Sequence, residues 1–256
     1  MTQDVPSQFY TGLVAELYAS LRGSIADIDL CERVVREFGE PALELGCGHG
    51  DPLIELRRRG LDVDGLDSSI DMLDRARALA TEHGVDVELH HADMSSMQLG
   101  KRFQTVFLAG PTFNLLPSDD TATAALRCIA DHLADNGRAF IPLFVPTRVN
   151  PDAPAEPKEH VEPDGTLFRC TVTSTEYDVE ARMQVTTLLY ERIDGDKVTT
   201  VERPWLLHWY TPDGFRALVE SAGLVVESIN DYHGEPARPD STYMHVTCRR
   251  ASPTSS

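Results

Sequence analysis

Between residues 42 and 145 short apolar runs alternate with amphipathic stretches, and no other feature constrains the fold as much. The runs at 42–45, 63–66, 85–89, 103–109 and 138–145 read as buried strands. Segments of helical period separate most of them, at 52–59 (closed by Gly60), 70–82 and 121–133. Strands joined through crossover helices run parallel, because each helix carries the chain back to the same end of the sheet. The expectation is an α/β fold with a doubly wound, mostly parallel sheet.

The flanks add three parts. Two helices precede the core, one over 7–21 with Phe9, Leu13, Leu17 and Leu21 at helical spacing, the other over 28–38 ending at Gly39. After Pro146 the alternation stops, and the prolines and charges of 146–166 read as a loop. Apolar runs then resume without helices at 167–177, 183–192 and 197–210, with Asp194-Gly195 as a hairpin signal. This reads as an antiparallel β ribbon inserted into the sheet. Thr211-Pro212-Asp213 opens a helix capped at Gly223, and strands at 224–229 and 243–248 bring the sheet to seven. The expected organisation is an N-terminal helical cap over 1–40, a core over 41–150 and 211–250, a covering β-rich insertion over 151–210, and a disordered tail over 251–256.

Lys plus Arg number 23 against 41 Asp plus Glu, a net charge of −18. That excludes a basic face for a nucleic-acid backbone and a Lys/Arg patch for an anionic membrane. No apolar run approaches the ~20 residues that span a bilayer. The five cysteines form no C-x-x-C pair, which fits a reducing compartment, and a cytoplasmic location is expected. His90-His91-x-Asp93 offers ligand types, but neighbouring strand residues point to opposite faces, so no metal is expected.

The most informative string is Glu44-Leu45-Gly46-Cys47-Gly48-His49-Gly50, an E-x-G-x-G-x-G directly after a buried strand. Glycines there let the chain turn sharply and let a ligand approach the backbone. Asp51 then stands where a helix N-cap is wanted and Pro52 in the first turn. Asp67 ends the next strand, at the spacing of a carboxylate that grips a ribose hydroxyl pair, although capping the following helix would also explain it. Asp93 follows the third strand, where a carboxylate can accept from an adenine amino group.

ALELGCGHG, GLDSSIDML and HADM resemble, in order and spacing, the cofactor motifs of class I S-adenosylmethionine-dependent methyltransferases. The likeness covers roughly residues 9 to 250, with Leu17-Tyr18 and Asp27-Ile28 similar to the N-terminal segment of a broad bacterial small-molecule group. It implies a Rossmann-like methyltransferase fold with S-adenosyl-L-methionine as cofactor. Glu44, Gly46, Cys47, Gly48 and Gly50 would surround the methionine portion and Asp67 the ribose. Ser68 and Met72 would lie near the adenine, Asp93 and Met94 at its edge, and Ala109 beside the fourth strand's end. Tyr18 matches an aromatic that closes over the cofactor, while Ala19 replaces an acid expected beside it.

Methyl donors of this fold present the sulfonium beyond the fourth strand, where this chain has Pro111-Thr112-Phe113-Asn114-Leu115-Leu116. Leu115 stands where relatives often carry a histidine. Asn114 is then the expected polar orienter, and for Phe113 core and pocket are equally open. Trp205, His208, Trp209 and Tyr210 crowd the ribbon's end; packing on the sheet and facing an acceptor are both open to them. His208 and Tyr210 are, with Asn114, the catalytic candidates, and Phe113, Asn114, Trp205, His208 and Trp209 the substrate-binding ones. The expected reaction is methyl transfer to nitrogen or oxygen of a small-molecule acceptor. A non-catalytic S-adenosylmethionine-binding regulatory domain and a protein methyltransferase remain open, as does a homodimer.

Overall fold

The computed structural model describes residues 9–22, 27–147 and 156–251. Expectations for 1–8, the tail beyond 251 and most of the loop after Thr147 fall outside them. The chain begins with α1 (Leu13–Arg22) and α2 (Ile28–Phe38). The core follows as β1 (Ala42–Leu45), α3 (Leu53–Arg58), β2 (Val63–Asp67), α4 (Ile70–His83), β3 (Leu89–His91), β4 (Phe103–Phe107), a 3-10 turn (Pro111–Leu115), α5 (Asp119–His132) and β5 (Leu133–Phe144). An insertion of β6 (Lys158–Val161), β7 (Leu167–Asp178), β8 (Met183–Asp194) and β9 (Lys197–His208) precedes α6 (Pro212–Ser221), β10 (Leu224–Asn230) and β11 (Tyr243–Arg250).

Seven strands form the main sheet in the order β10-β11-β5-β4-β1-β2-β3, with β1 to β5 parallel and β11 antiparallel to β5. The chain therefore winds outward from β1 in one direction, then returns to β4 and winds in the other. That reversal leaves a crevice between the carboxyl ends of β1 and β4, where ligands of open α/β sheets collect. β1 is buried along its whole length, as a strand covered on both faces must be.

Two strand expectations are corrected. The third strand starts at Leu89 and not at Val85, because Gly84 ends α4 in the left-handed region and the Val85 N–H is spent on the Ala80 carbonyl. The stretch 146–166 is not all loop, since Lys158–Val161 pairs with β7 as an edge strand. Its exposed, charged residues carry no apolar alternation to read. Asp51 is not a helix cap either; Pro52 takes that position with no side-chain bond.

The insertion forms a separate antiparallel sheet, β6-β7-β8-β9. Its inner face packs on α1 through Phe9, Val14, Leu17, Phe168 and Tyr190. Ser20 Oγ donates to Glu162 (2.8 Å) and Arg192 to Glu16 (2.9 Å), so α1 and the insertion make one layer. The cap and the ribbon are thus joined to each other as well as to the core.

That layer is fastened to the core at Asn114. The side chain is wholly buried; Nδ2 donates to the Phe144 carbonyl (3.0 Å) and the His208 carbonyl (2.7 Å), and Oδ1 accepts from Phe144 N–H (2.9 Å). One amide thereby clamps the strand end where the insertion departs to the strand end where it returns. Asn114→Ala would leave three backbone groups without this partner, a buried one costing about 1–3 kcal/mol and the two part-buried ones less. We expect a loss of ~3 kcal/mol or more in denaturant unfolding, with faster amide exchange at the end of β9. An unfolding midpoint equal to wild type would contradict this fastening.

Candidate active site

The glycine loop leaves β1 at the reversal point. Gly46 has φ +70°, and a Cβ there would come within 2.7 Å of Thr112 Cγ2, so only glycine lets the two loops meet across the crevice. Gly48 N–H donates to Asp67 Oδ2 (2.8 Å), and Asp67 Oδ1 accepts from Ser69 N–H (2.8 Å). The carboxylate at the end of β2 therefore holds the loop open in one shape. Ser69, not Asp67, caps α4 by accepting from Met72 N–H, which removes the capping explanation for Asp67. Met72 is buried, with its Cε beneath Gly48.

Glu44 is 1% exposed and its Oε2 has no hydrogen-bond partner among the described residues. Burial, with Asp51 and Asp67 nearby, pushes its carboxyl up to about 8. Burial likewise raises the Cys47 thiol, with Asp67 and Glu44 adding to it, so that group stays neutral. His49 Nδ1 is a second buried atom without a partner, and its ring lies 5.4 Å from that of Tyr18. Tyr18 reaches this point because Ser69 Oγ donates to the Tyr10 carbonyl (2.5 Å) and Asp71 accepts from Gly12 N–H (2.6 Å), pinning the turn before α1. A buried notch with carboxyl groups and unpaired atoms suits a ligand that brings an ammonium and a sulfonium. The residues present therefore fit S-adenosylmethionine. Burial raises the Asp67 pKa against the pull of its backbone donors.

Ser68 and Met94 are partly buried along the same edge, and Ala109 packs on the α2 side of the sheet. Asp93 is partly buried, with Oδ1 committed to Ser95 N–H (2.8 Å) and Ser95 Oγ (2.6 Å). Beyond β4, a Cβ built on Gly110 would meet nothing within 4 Å, so the crevice is open there.

The expected catalytic cluster is placed differently. His208 and Tyr210 are 2% and 1% exposed, and Phe113 is wholly buried against Tyr210 and Phe215. His208 Nδ1 meets Tyr210 Oη at 3.0 Å, and Nε2 faces Asp119 at 3.6 Å. Arg182 pairs with Asp119 and lies over the Tyr210 ring at 5.5 Å. These groups lock the β7–β8 turn onto the start of α5. Desolvation, then Arg182, holds His208 below its ordinary pKa. Both Asn114 amide hydrogens are spent on backbone, and His208 and Tyr210 bond to each other in the interior. Trp205 braces the α1 contact, and Trp209 N–H bonds to the Arg182 carbonyl (2.9 Å). Aromatic residues at a ribbon's end carry no mark of which face they take.

The sequence reading missed His49, Thr112 and His245. His245 on β11 is a further ring with a buried, unpartnered nitrogen, Nε2. Only the glycine motif marked His49, and nothing but strand alternation could have singled out His245. Among the described residues, Asp64, Glu88 and His90 bring ligand-type atoms together. Lys101 Nζ already sits 2.7 Å from Asp64 there, and the His91 ring turns away to the Ser68 carbonyl (3.1 Å). No helix of the described residues is long and apolar enough to cross a membrane.

Two measurements check the cofactor notch. With Glu44 protonated in the free protein and ionised beside an ammonium, binding at pH 7 should release up to one proton. Calorimetry in buffers of different ionisation enthalpy reads this, and Glu44→Gln should abolish it. Because the raised pKa means the native state holds a proton that the unfolded chain loses, Glu44 also lowers the free protein's stability as pH rises from about 4.5 toward 8. Separately, cofactor at ~100 Kd should stabilise the fold by ~2.7 kcal/mol, read as a thermal shift.

A methyltransferase-domain family model matches residues 42–137. The dTDP-3-amino-3,6-dideoxy-alpha-D-glucopyranose N,N-dimethyltransferase of Streptomyces fradiae is 29% identical over 231 residues, covering 87% of this chain and 88% of that one. The cypemycin N-terminal methyltransferase of a Streptomyces species is 29% identical over 216 residues, covering 83% and 84%. An amino pentose methyltransferase from Micromonospora echinaspora, solved with S-adenosylmethionine bound, superposes with a TM-score of 0.69 at 22% identity, over 94% of this chain and 98% of that one. The methyltransferase-domain match falls on the strands and loops that build the notch, and residues 42–137 of this chain form a methyltransferase domain.

Proposed function

We propose that the enzyme methylates the nitrogen of a small-molecule amine, of the amino-sugar type. The observation that carries this is the reach of the similarity to the amino-sugar dimethyltransferase. At 87% of the chain it extends into the inserted sheet and beyond the cofactor core. The layer over the crevice is where an acceptor would be recognised, and the core alone would say nothing of it.

When bound, S-adenosylmethionine supplies a methyl carbon already activated by its sulfonium. Glu44 takes its ammonium and Asp67 its ribose hydroxyls, with Gly46, Cys47, Gly48 and Gly50 shaping the approach. Ser68, Met72, Asp93 and Met94 enclose the adenine, and Tyr18 with His49 closes the side. The protein's main contribution is to hold the acceptor in line with that carbon, and near-attack geometry can supply ~7–11 kcal/mol of the barrier. A hydroxyl acceptor would need a strong base, whereas His208 is shut in the interior and Cys47 is held as a thiol. An amine needs only to be neutral.

The test is methyl transfer to three probes: dTDP-3-amino-3,6-dideoxyglucose, a peptide with a free N-terminal amine, and a catechol. Methylation of the amino sugar, with kcat/KM falling at low pH as the amine protonates, is the expected result. Transfer to the peptide alone would establish the protein-methylating reading, and transfer to the catechol alone would overturn nitrogen.

A further inference from the structure

The strand registers place His245 at the edge of the methyl-transfer crevice. Glu44 pairs with Phe107, Phe107 with Phe140, and Pro142 with His245. Two residues further along each parallel strand, Gly46, Ala109 and Pro142 stand in the same row as His245. This is the first row beyond the buried strands, level with the glycine loop. Phe107, Phe140 and Ala109 all pack on the α2 side of the sheet, so side chains of this row share that face. Neighbouring strands are ~4.8 Å apart, which puts His245 two strand spacings, ~10 Å, from Ala109.

The ring is held firmly. It lies 4.9 Å from Phe140 and 5.1 Å from Tyr243, whose ring is in turn 6.1 Å from Tyr232. Asp27 and Cys31 of α2 complete the surroundings, and Asp27 acts electrostatically on both His245 and Tyr243. Nε2 is closed off from solvent and has no hydrogen-bond partner among the described residues. A buried nitrogen left unpaired is unfavourable, a cost native folds carry where a ligand completes the bond. Glu44 Oε2 and His49 Nδ1, the other unpartnered atoms of this edge, belong to the cofactor notch. His245 lies on the far side of the crevice from both.

We infer that His245 Nε2 accepts an N–H of the amine that attacks the methyl group. The contact turns the amine's lone pair toward the methyl carbon. As the N–C bond forms, the C–S bond breaks and its electron pair stays on sulfur. The product ammonium keeps its proton until it leaves the crevice and then loses it to water. Burial keeps the free ring neutral and able to accept the N–H. This rests on the nitrogen reading above and names the group that orients the amine's lone pair.

A test of this contact needs no natural acceptor. Sinefungin carries an amine at the methyl-transfer position, and S-adenosylhomocysteine carries nothing there. Calorimetry on wild type, His245→Phe and His245→Gln gives the ratio of the two affinities. We expect sinefungin to bind at least tenfold more tightly than S-adenosylhomocysteine to wild type. The ratio should collapse toward one in His245→Phe and recover in part in His245→Gln, whose oxygen can still accept. Melting temperature and S-adenosylhomocysteine affinity should stay near wild type in both. A wild-type ratio near one, or a ratio that His245→Phe leaves unchanged, would overturn the inference. If His245→Phe unfolds, the His245→Gln ratio and the wild-type ratio decide it. Turnover of dTDP-3-amino-3,6-dideoxyglucose is measured on the same proteins. Failure of wild type to methylate that sugar overturns the acceptor class, while the sinefungin ratio still decides the role of His245 independently.

Discussion

The Asn114 amide is the constraint on which the upper half of the molecule depends. β5 runs out of the parallel sheet at Phe144, the chain builds four antiparallel strands, and it returns at His208. A single buried side chain bonds both points, and Arg182 with Asp119 locks the far turn of the same sheet. Without such fixed points the insertion would have only its α1 contact, and its position over the crevice would be loose. Catalysis by positioning tolerates little looseness, so the clamp is as much part of the mechanism as any group that touches a ligand.

The second organising feature is a concentration of unpaired polarity at one edge of an otherwise apolar sheet. Burial, with Asp51 and Asp67 close by, raises the proton affinity of Glu44. Such a cluster is unfavourable in the free protein and is relieved by a cation. Across the crevice the polar group is a neutral imidazole. One wall thus suits a positively charged donor, and on the proposed reading the other suits an amine.

The parallel core was legible because each of its signals is local. The apolar runs at β1 and β2 and the glycine loop all act within a few residues of the chain. β3 was misplaced because a helix cap took a backbone N–H that its apolar residues suggested for a strand. β6 was missed because an exposed edge strand needs no apolar pattern; its partner supplies the hydrogen bonds. Asp67 was found by spacing, and the structure then separated it from the helix cap through Ser69.

Sequence alone determined the alternation of parallel strands with crossover helices and the position of the glycine loop and the strand-end acids, since backbone turns and acids of this kind are written in short strings. It could not determine which of the later polar and aromatic residues face that crevice. Asn114, His208 and Tyr210 lie near it in the chain yet spend their polar atoms on the frame. His245, more than a hundred residues beyond β4, comes level with Ala109 only through the pairing of β4 with β5 and of β5 with β11. Register across three strands is a property of the packed sheet, because each pairing is chosen by burial of the whole face and not by the residues on either side of it.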